Sequence, residues 1–219
     1  MGDLIWLPFV TLTRREIARF MKVVAQTVIT PFVSASLYLL IFGVNLGESI
    51  KLASGLPYLS FLIPGLVMMG CLNNAFQNTS SSIIASKFSG DLEDLKASPL
   101  SPMQIIMAMS IGAVVRGLCV AGITLLVGEL FYYFNFGEIL WPSHPGLLLT
   151  FLLVGGLTFG NLGISVGFAA RSFDQLSALG GFVLLPLIYL GGVFFSVETL
   201  PAFWRGLAMS NPLLYLING

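Results

Sequence analysis

The sequence predicts an all-α fold, a polytopic helical membrane protein, and three observations carry that reading. Of its 219 residues, 56% are hydrophobic and only 9% charged, where a soluble domain carries about 25% charged residues. Mean hydropathy is +0.93. Five apolar stretches also reach the roughly 20 residues that cross a hydrocarbon core of about 30 Å, and in lipid a lone segment satisfies its own backbone only as a helix.

From the N-terminus, residues 10–24 read as an amphipathic helix. Arg15, Arg19 and Lys22 recur at i, i+4 and i+7, while Ile17, Met21 and Val24 do so about half a turn away. A basic face opposite an apolar one fits an interfacial helix in the inner headgroup layer, where each base gains roughly 1 kcal/mol from anionic lipid. A plain extension of the first span fits as well. The bases follow a short apolar piece, the reverse of signal-peptide order, so no cleavable leader is predicted.

Five spans follow, at about 23–44, 56–86, 103–134, 146–170 and 175–197, as one transmembrane domain over 1–219. The second and third are long enough to tilt or to project beyond the bilayer. Pro31, Pro64 and Pro186 fall inside spans, which membrane helices tolerate when neighbours bond the freed carbonyls. The loop "FNFGEILWPSHPG" (134–146) has the aromatic and polar character of an outer headgroup boundary. After the fifth span, residues 198–217 are broken by Glu198, Pro201, Arg205 and Pro212 and read as two short amphipathic pieces at the outer leaflet.

Orientation follows from Lys and Arg. Seven of the ten (Arg14, Arg15, Arg19, Lys22, Lys87, Lys96, Arg171) fall on the N-terminal side, Lys51 and Arg205 fall opposite, and Arg116 lies within the third span. Positive residues stay inside, so the N-terminus is predicted to be cytoplasmic.

The stretch "KFSGDLEDLKASPLSP" (87–102) therefore lies inside too. Asp91, Glu93 and Asp94 precede Lys96, the charge order that suits a helix macrodipole, with Ser89 or Asp91 available as a cap. Leu92 and Leu95 share one face, and Ser101-Pro102 reads as the N-cap and first residue of the next helix. A helix of two turns is marginal alone. It either docks on a partner surface or is a solvated turn charged to hold topology.

Small residues repeat inside the spans: Gly156, Gly160, Gly163 and Gly167 in the fourth, Ala113, Gly117 and Ala121 in the third. That spacing lets helices approach closely in lipid. Cys71 and Cys119 read as small hydrophobes within spans. No catalytic residues, metal site or cofactor site are predicted. The single histidine, His144, sits in an outer loop, and no G-x-x-x-x-G-K-[ST] loop is present to hold a nucleotide.

Polar groups within the membrane are the leads. Asn73 and Gln77, and Asn74 and Asn78, pair at i, i+4 in the second span. They either line a translocation path or bond neighbouring helices, at about 0.6 kcal/mol each. Arg116 in mid-span either serves function or snorkels to the inner headgroups, and Glu129 is too far along the same helix to pair with it.

Two segments carry a family resemblance. "FLIPGLVMMGCLNNAFQNTSSSIIASKFSGDLEDLKASPLSPMQIIMAMSIGAVVRG" (61–117) resembles the second span, cytoplasmic loop and third span of ABC-2 type transporter permeases. "PLIYLGGVFFSVETLPAFWRGLAMSNPLLYLING" (186–219) resembles their fifth span and outer segment, with Gly-Gly, Leu-Pro and Asn-Pro landmarks. The nearest likeness is to bacterial inner-membrane permeases for nodulation factors, polysaccharides and drugs.

The resemblance implies a homodimer of multi-pass inner-membrane permeases exporting an amphipathic, drug-like, saccharide or lipid-linked substrate. It implies that ATP and magnesium are bound by a separate ATPase. Asp91, Leu92, Glu93, Asp94, Leu95 and Lys96 would form the coupling helix docked on that ATPase, and the N-terminal helix a second contact. The family pattern continues into a sixth span, so the sequence reads as one span short of it. Gradient-driven transport, a channel, or a non-transporting scaffold remain the alternatives; membrane lipids are expected partners and nucleic acid is not.

Overall fold

The computed structural model describes residues 3–45, 47 and 57–217. Lys51, assigned to the outer side above, lies outside these residues. Ten α-helices account for most of the described chain, and no strand occurs among the described residues. Helix α1 (Asp3–Met21) precedes α2 (Val24–Tyr38), which continues as a π-helical segment, Leu39–Asn45. Then come α3 (Tyr58–Ser89), α4 (Asp91–Ala97), α5 (Pro102–Phe136) and α6 (Pro145–Ala169). The fifth span is composite: α7 (Phe173–Leu179), a π segment Gly180–Leu184, and α8 (Leu185–Leu190). Short helices α9 (Ala202–Met209) and α10 (Pro212–Ile217) end the described chain.

Among the described residues, five segments are long and apolar enough to cross a membrane: Val24–Asn45, Tyr58–Ser89, Pro102–Phe136, Pro145–Ala169 and Phe173–Leu190. At 1.5 Å per residue, α3 (32 residues) and α5 (35 residues) are about 48 and about 52 Å long, well beyond a hydrocarbon core of about 30 Å. Both therefore extend past the bilayer at one end, where α1 and α4 lie.

Local chemistry explains the turns at that end. Gly90, with φ +84°, takes the left-handed conformation that only glycine adopts cheaply, and so ends α3 and redirects the chain into α4. Gly90 itself is the N-cap of α4, with no side-chain cap bond, so the anticipated Ser89 or Asp91 cap is not used. Ser101 behaves as anticipated. Its hydroxyl accepts from the Gln104 amide N–H while the Gln104 side chain accepts from the Ser101 N–H, a capping box ahead of Pro102.

Helix α3 is the axis of the bundle. Of its most apolar window, 61% is buried inside the protein, against 17% for the first and fifth spans. Glycine allows that centrality. A Cβ on Gly163 would fall on the Thr79 hydroxyl and the Phe76 carbonyl, and one on Gly117 would sit 3.0 Å from the Cys71 carbonyl. With backbones this close, the Thr79 hydroxyl donates to the Gly160 carbonyl at 2.7 Å. The small-residue repeats of the third and fourth spans thus pack both helices onto α3, within one chain.

Two sequence expectations are corrected. Helix α1 buries Leu12, Glu16 and Phe20, whereas Met21 and Val24 of the anticipated apolar face are exposed. Arg15 and Lys22 are exposed, but Arg19 turns into the bundle. The reason is partner chemistry: Glu16 and the Asn78 carbonyl offer Arg19 buried acceptors that outweigh a headgroup contact. In the outer segment, α10 does not lie free on a leaflet. Leu213 belongs to the main core, and Asn211 just before α10 donates to the Leu187 carbonyl at 2.6 Å.

Candidate functional site

A polar crevice opens between α1, α2, α3, α5 and the fifth span. Its larger part, about 640 Å³, is lined by Arg19, Gln26, Asn73, Gln77, Asn78 and Arg116, with Phe173, Leu176, Ser177 and the Gly180-Gly181 pair across from them. A second part, about 270 Å³, shares Gln26, Asn73, Gln77, Arg116 and Leu185, so the two are continuous. With the end nearest α1 and α4 labelled inner and the opposite end outer, the second part runs past Thr30, Ser34, Met69 and Thr124 to Tyr38 and Tyr189 at the outer end. Aromatic rings gather at that outer end: Phe194 lies 5.5, 5.2 and 5.4 Å from the rings of Tyr38, Phe42 and Tyr189. The Tyr38 and Tyr189 hydroxyls are 3.4 Å apart.

The inner end is built around charge. Glu16 is buried, its two carboxylate oxygens accepting from the Ser82 hydroxyl at 3.0 and 2.9 Å. Its carboxylate also lies 3.4 Å from Arg19 Nη2, which donates to the Asn78 carbonyl as well. Burial pulls the Arg19 guanidinium below its ordinary value; Glu16 opposes that shift and Arg15 adds to it. Arg19 stays a cation at neutral pH. Arg116 is only 9% exposed and lies close enough to Arg19 for the two to repel. It has no hydrogen-bond partner among the described residues, and its Nε is buried. Instead of snorkelling to headgroups, Arg116 borders both parts of the crevice.

The amides divide between wall and packing. Gln77 donates to the Asn73 side-chain oxygen at 3.1 Å, a pair facing the crevice. Asn74 bonds the Gly70 carbonyl of its own helix, and Asn78 is fully buried with an unpartnered Nδ2. Glu129 accepts from the Leu140 amide and ties down the outer loop instead of serving the crevice.

The other predicted site stands apart. Asp91, Leu92, Glu93, Asp94, Leu95 and Lys96 lie on α4, beyond the inner end of α3. The three acids are exposed and the two leucines half-buried, while the Lys96 side chain lies outside the described residues. Lys87, read above only as a topology charge, joins this region to the bundle. Its ammonium donates to the carbonyls of Gly167, Phe168 and Ala170 at 2.9, 2.6 and 2.9 Å, capping the end of α6. The neighbouring Phe88 stacks on Phe173 with centroids 5.5 Å apart.

Sequence reasoning missed Glu16, Gln26, Lys87 and the fifth-span wall. Only Glu16 carried a signal, as the one acid within a run of bases.

Residues 8–219 match the ABC-2 type transporter family. The chain is 37% identical to the Inner membrane transport permease YadH of Escherichia coli K12, over all of this chain and 83% of that protein. It is 28% identical to the Probable multidrug ABC transporter permease YbhR of the same strain, over 74% of this chain and 43% of that protein. Nodulation protein J of Rhizobium leguminosarum bv. viciae is 24% identical over 99% of this chain and 81% of its own length. No solved structure matches the chain.

Proposed function

The chain belongs to the ABC-2 type transporter family, and we propose that it is the inner-membrane permease of an ATP-driven exporter, moving an amphipathic substrate through the crevice between its first, second, third and fifth spans. As a membrane subunit of an ABC transporter it is a transport subunit and not an enzyme. Hydrolysis, with ATP and magnesium, falls to a separate ATPase subunit on the cytoplasmic side.

The continuous crevice carries this reading. It joins a cationic, amide-lined inner end to an aromatic outer end, a sequence of surfaces that suits a molecule with a polar head and an apolar body. The multidrug and nodulation names of two relatives fit a drug-like or saccharide-bearing, lipid-linked cargo. The first and fifth spans flank the crevice and bury the least surface; a second copy packed against them would close it, which favours a homodimer. The bias of Lys and Arg puts α1 and α4 on the cytoplasmic side, where exposed Arg15 and Lys22 would meet anionic lipid.

The mechanism follows from how α4 is attached. Exposed acids and two half-buried leucines on α4 form the surface offered to the ATPase. Displacement of α4 as the ATPase dimer closes on ATP acts through Gly90 on α3. Lys87 and Phe88 pass the same displacement to the end of α6 and the start of the fifth span. Both crevice walls then move together. A gradient-driven carrier would want a titratable carboxylate in the path, whereas the polar side chains of the lining are cations, amides and hydroxyls.

The test is ATP hydrolysis by the permease reconstituted with its ATPase in proteoliposomes. Leu92→Asp with Leu95→Asp is expected to abolish permease-dependent hydrolysis and transport while leaving the melting temperature of the permease within about 2 °C. Hydrolysis and transport that continue at the wild-type rate would refute the lever.

A further inference from the structure

Three buried nitrogens at the inner end of the crevice lack hydrogen-bond partners: Arg19 Nε, Asn78 Nδ2 and Arg116 Nε. All three side chains line the same cavity of about 640 Å³. Asn78 is 0% and Arg116 9% exposed. Buried donors are normally bonded, and an unbonded one costs about 1–3 kcal/mol, more when charged. Glu16 spends its oxygens on Ser82 and one edge of Arg19, and Arg116 has no ion pair among the described residues. The cluster therefore carries an excess positive charge, and no acid is among the residues lining the cavity.

A purely structural Arg116 would be expected to reach a helix-end carbonyl or a carboxylate, as Lys87 does. Arg116 reaches neither among the described residues, and it lines both parts of the crevice. What would satisfy it is an acceptor that enters the cavity. The guanidinium fork matches two oxygens of one oxyanion.

Resting on the crevice reading above, we propose that Arg116, with Arg19 beside it, forms a binding site for a phosphate-class oxyanion, the head of an amphipathic molecule whose apolar part lies along the crevice toward Tyr38 and Tyr189. The site selects for the negative head, and the aromatic end accommodates the tail. Arg116 provides the principal contact, and Arg19, held by Glu16, adds the second positive charge on the same wall. The outer end of the crevice, lined by Thr30, Ser34 and the two tyrosines, sets no charge requirement.

The experiment uses the protein alone in phosphatidylcholine nanodiscs, so that its outcome is independent of ATPase coupling. Binding of radiolabelled n-dodecyl phosphate is measured against empty discs, and phenylglyoxal modification of each arginine is read by mass spectrometry with and without the probe. Saturable binding is expected, weakened at least tenfold by Arg116→Gln and several-fold by Arg19→Gln, and unchanged by Arg205→Gln at the outer surface. In the unmutated protein, dodecyl phosphate is expected to shield Arg116 from phenylglyoxal, and dodecyl maltoside is not. Shielding by inorganic phosphate as well would assign the site to a free anion; shielding by dodecyl phosphate alone assigns it to an amphiphile's head. Equal binding by wild type and Arg116→Gln overturns the proposal. So does an Arg116 that neither phosphate shields, which decides the matter even if the variant fails to fold. Either failure would leave the transport reading standing, since that is judged by the Leu92 and Leu95 variants.

Discussion

Replacing Lys87 by Met keeps most of the side-chain stem and removes one ammonium with three carbonyl partners, at 2.9, 2.6 and 2.9 Å. A hydrogen bond with one charged member nets about 1.5–3 kcal/mol, and a cation at a helix C-terminus adds about 0.3–1 kcal/mol, up to roughly 2 when partly buried. These contributions do not add in full, because one half-exposed ammonium supplies them all. A loss of about 2 kcal/mol is the reasonable figure, near 30-fold in an equilibrium constant. For a chain of 219 residues it corresponds to a melting temperature lower by about 4–8 °C. Thermal unfolding of the detergent-solubilised protein, followed by circular dichroism, measures it. Lys87→Arg should recover part of the loss, and Lys22→Met, at an exposed position, should cost under about 1 °C. A Lys87→Met protein that melts within about 1 °C of wild type would refute the claim that this cap ties α3 to α6. If the tie is real, the same variant should also lower permease-stimulated ATP hydrolysis when the ATPase is present, because α4 then moves without carrying α6.

Other substitutions probe the remaining contacts. Gly163→Ala drives a methyl group into Thr79 and the Phe76 carbonyl and should cost about 1–3 kcal/mol or more, whereas Gly122→Ala, with nothing within 4 Å, should melt like wild type. Glu16→Gln removes the carboxylate that pairs with Arg19. Losing one member of a buried pair costs about 3–5 kcal/mol, and the 32% exposure of the Arg19 side chain brings that nearer about 2–3. Adding Arg116→Gln to Glu16→Gln should restore part of the lost melting temperature by removing the repulsion between the two arginines, and a double-mutant cycle reads that coupling.

Much of the architecture was legible one residue at a time. Span number came from hydropathy, the start of α5 from Ser101-Pro102, and the helix over Asp91–Ala97 from its charge order, whereas the Gly90 turn that ends α3 was not read from the sequence. The glycines of the fourth span were readable as a packing stripe because only small side chains let two backbones meet. Each of these signals is local: it depends on residues within a turn or two.

Helix rotation is not local, and there the sequence pattern misled. In water an apolar stripe turns inward by the hydrophobic effect, but lipid is as apolar as a core, so a stripe such as Ile17, Met21 and Val24 has no compulsion to face the bundle. Polar partners decided the matter instead. Arg19 and Asn78 meet across 59 residues of sequence, and Lys87 reaches the end of α6 across 80 or more. The amino-acid sequence by itself determined a five-span helical membrane chain with a short charged helix at one end. Only the tertiary packing brought Arg116, Arg19 and Asn78 to one cavity wall, because in a nonpolar medium the few polar groups orient a helix by finding one another.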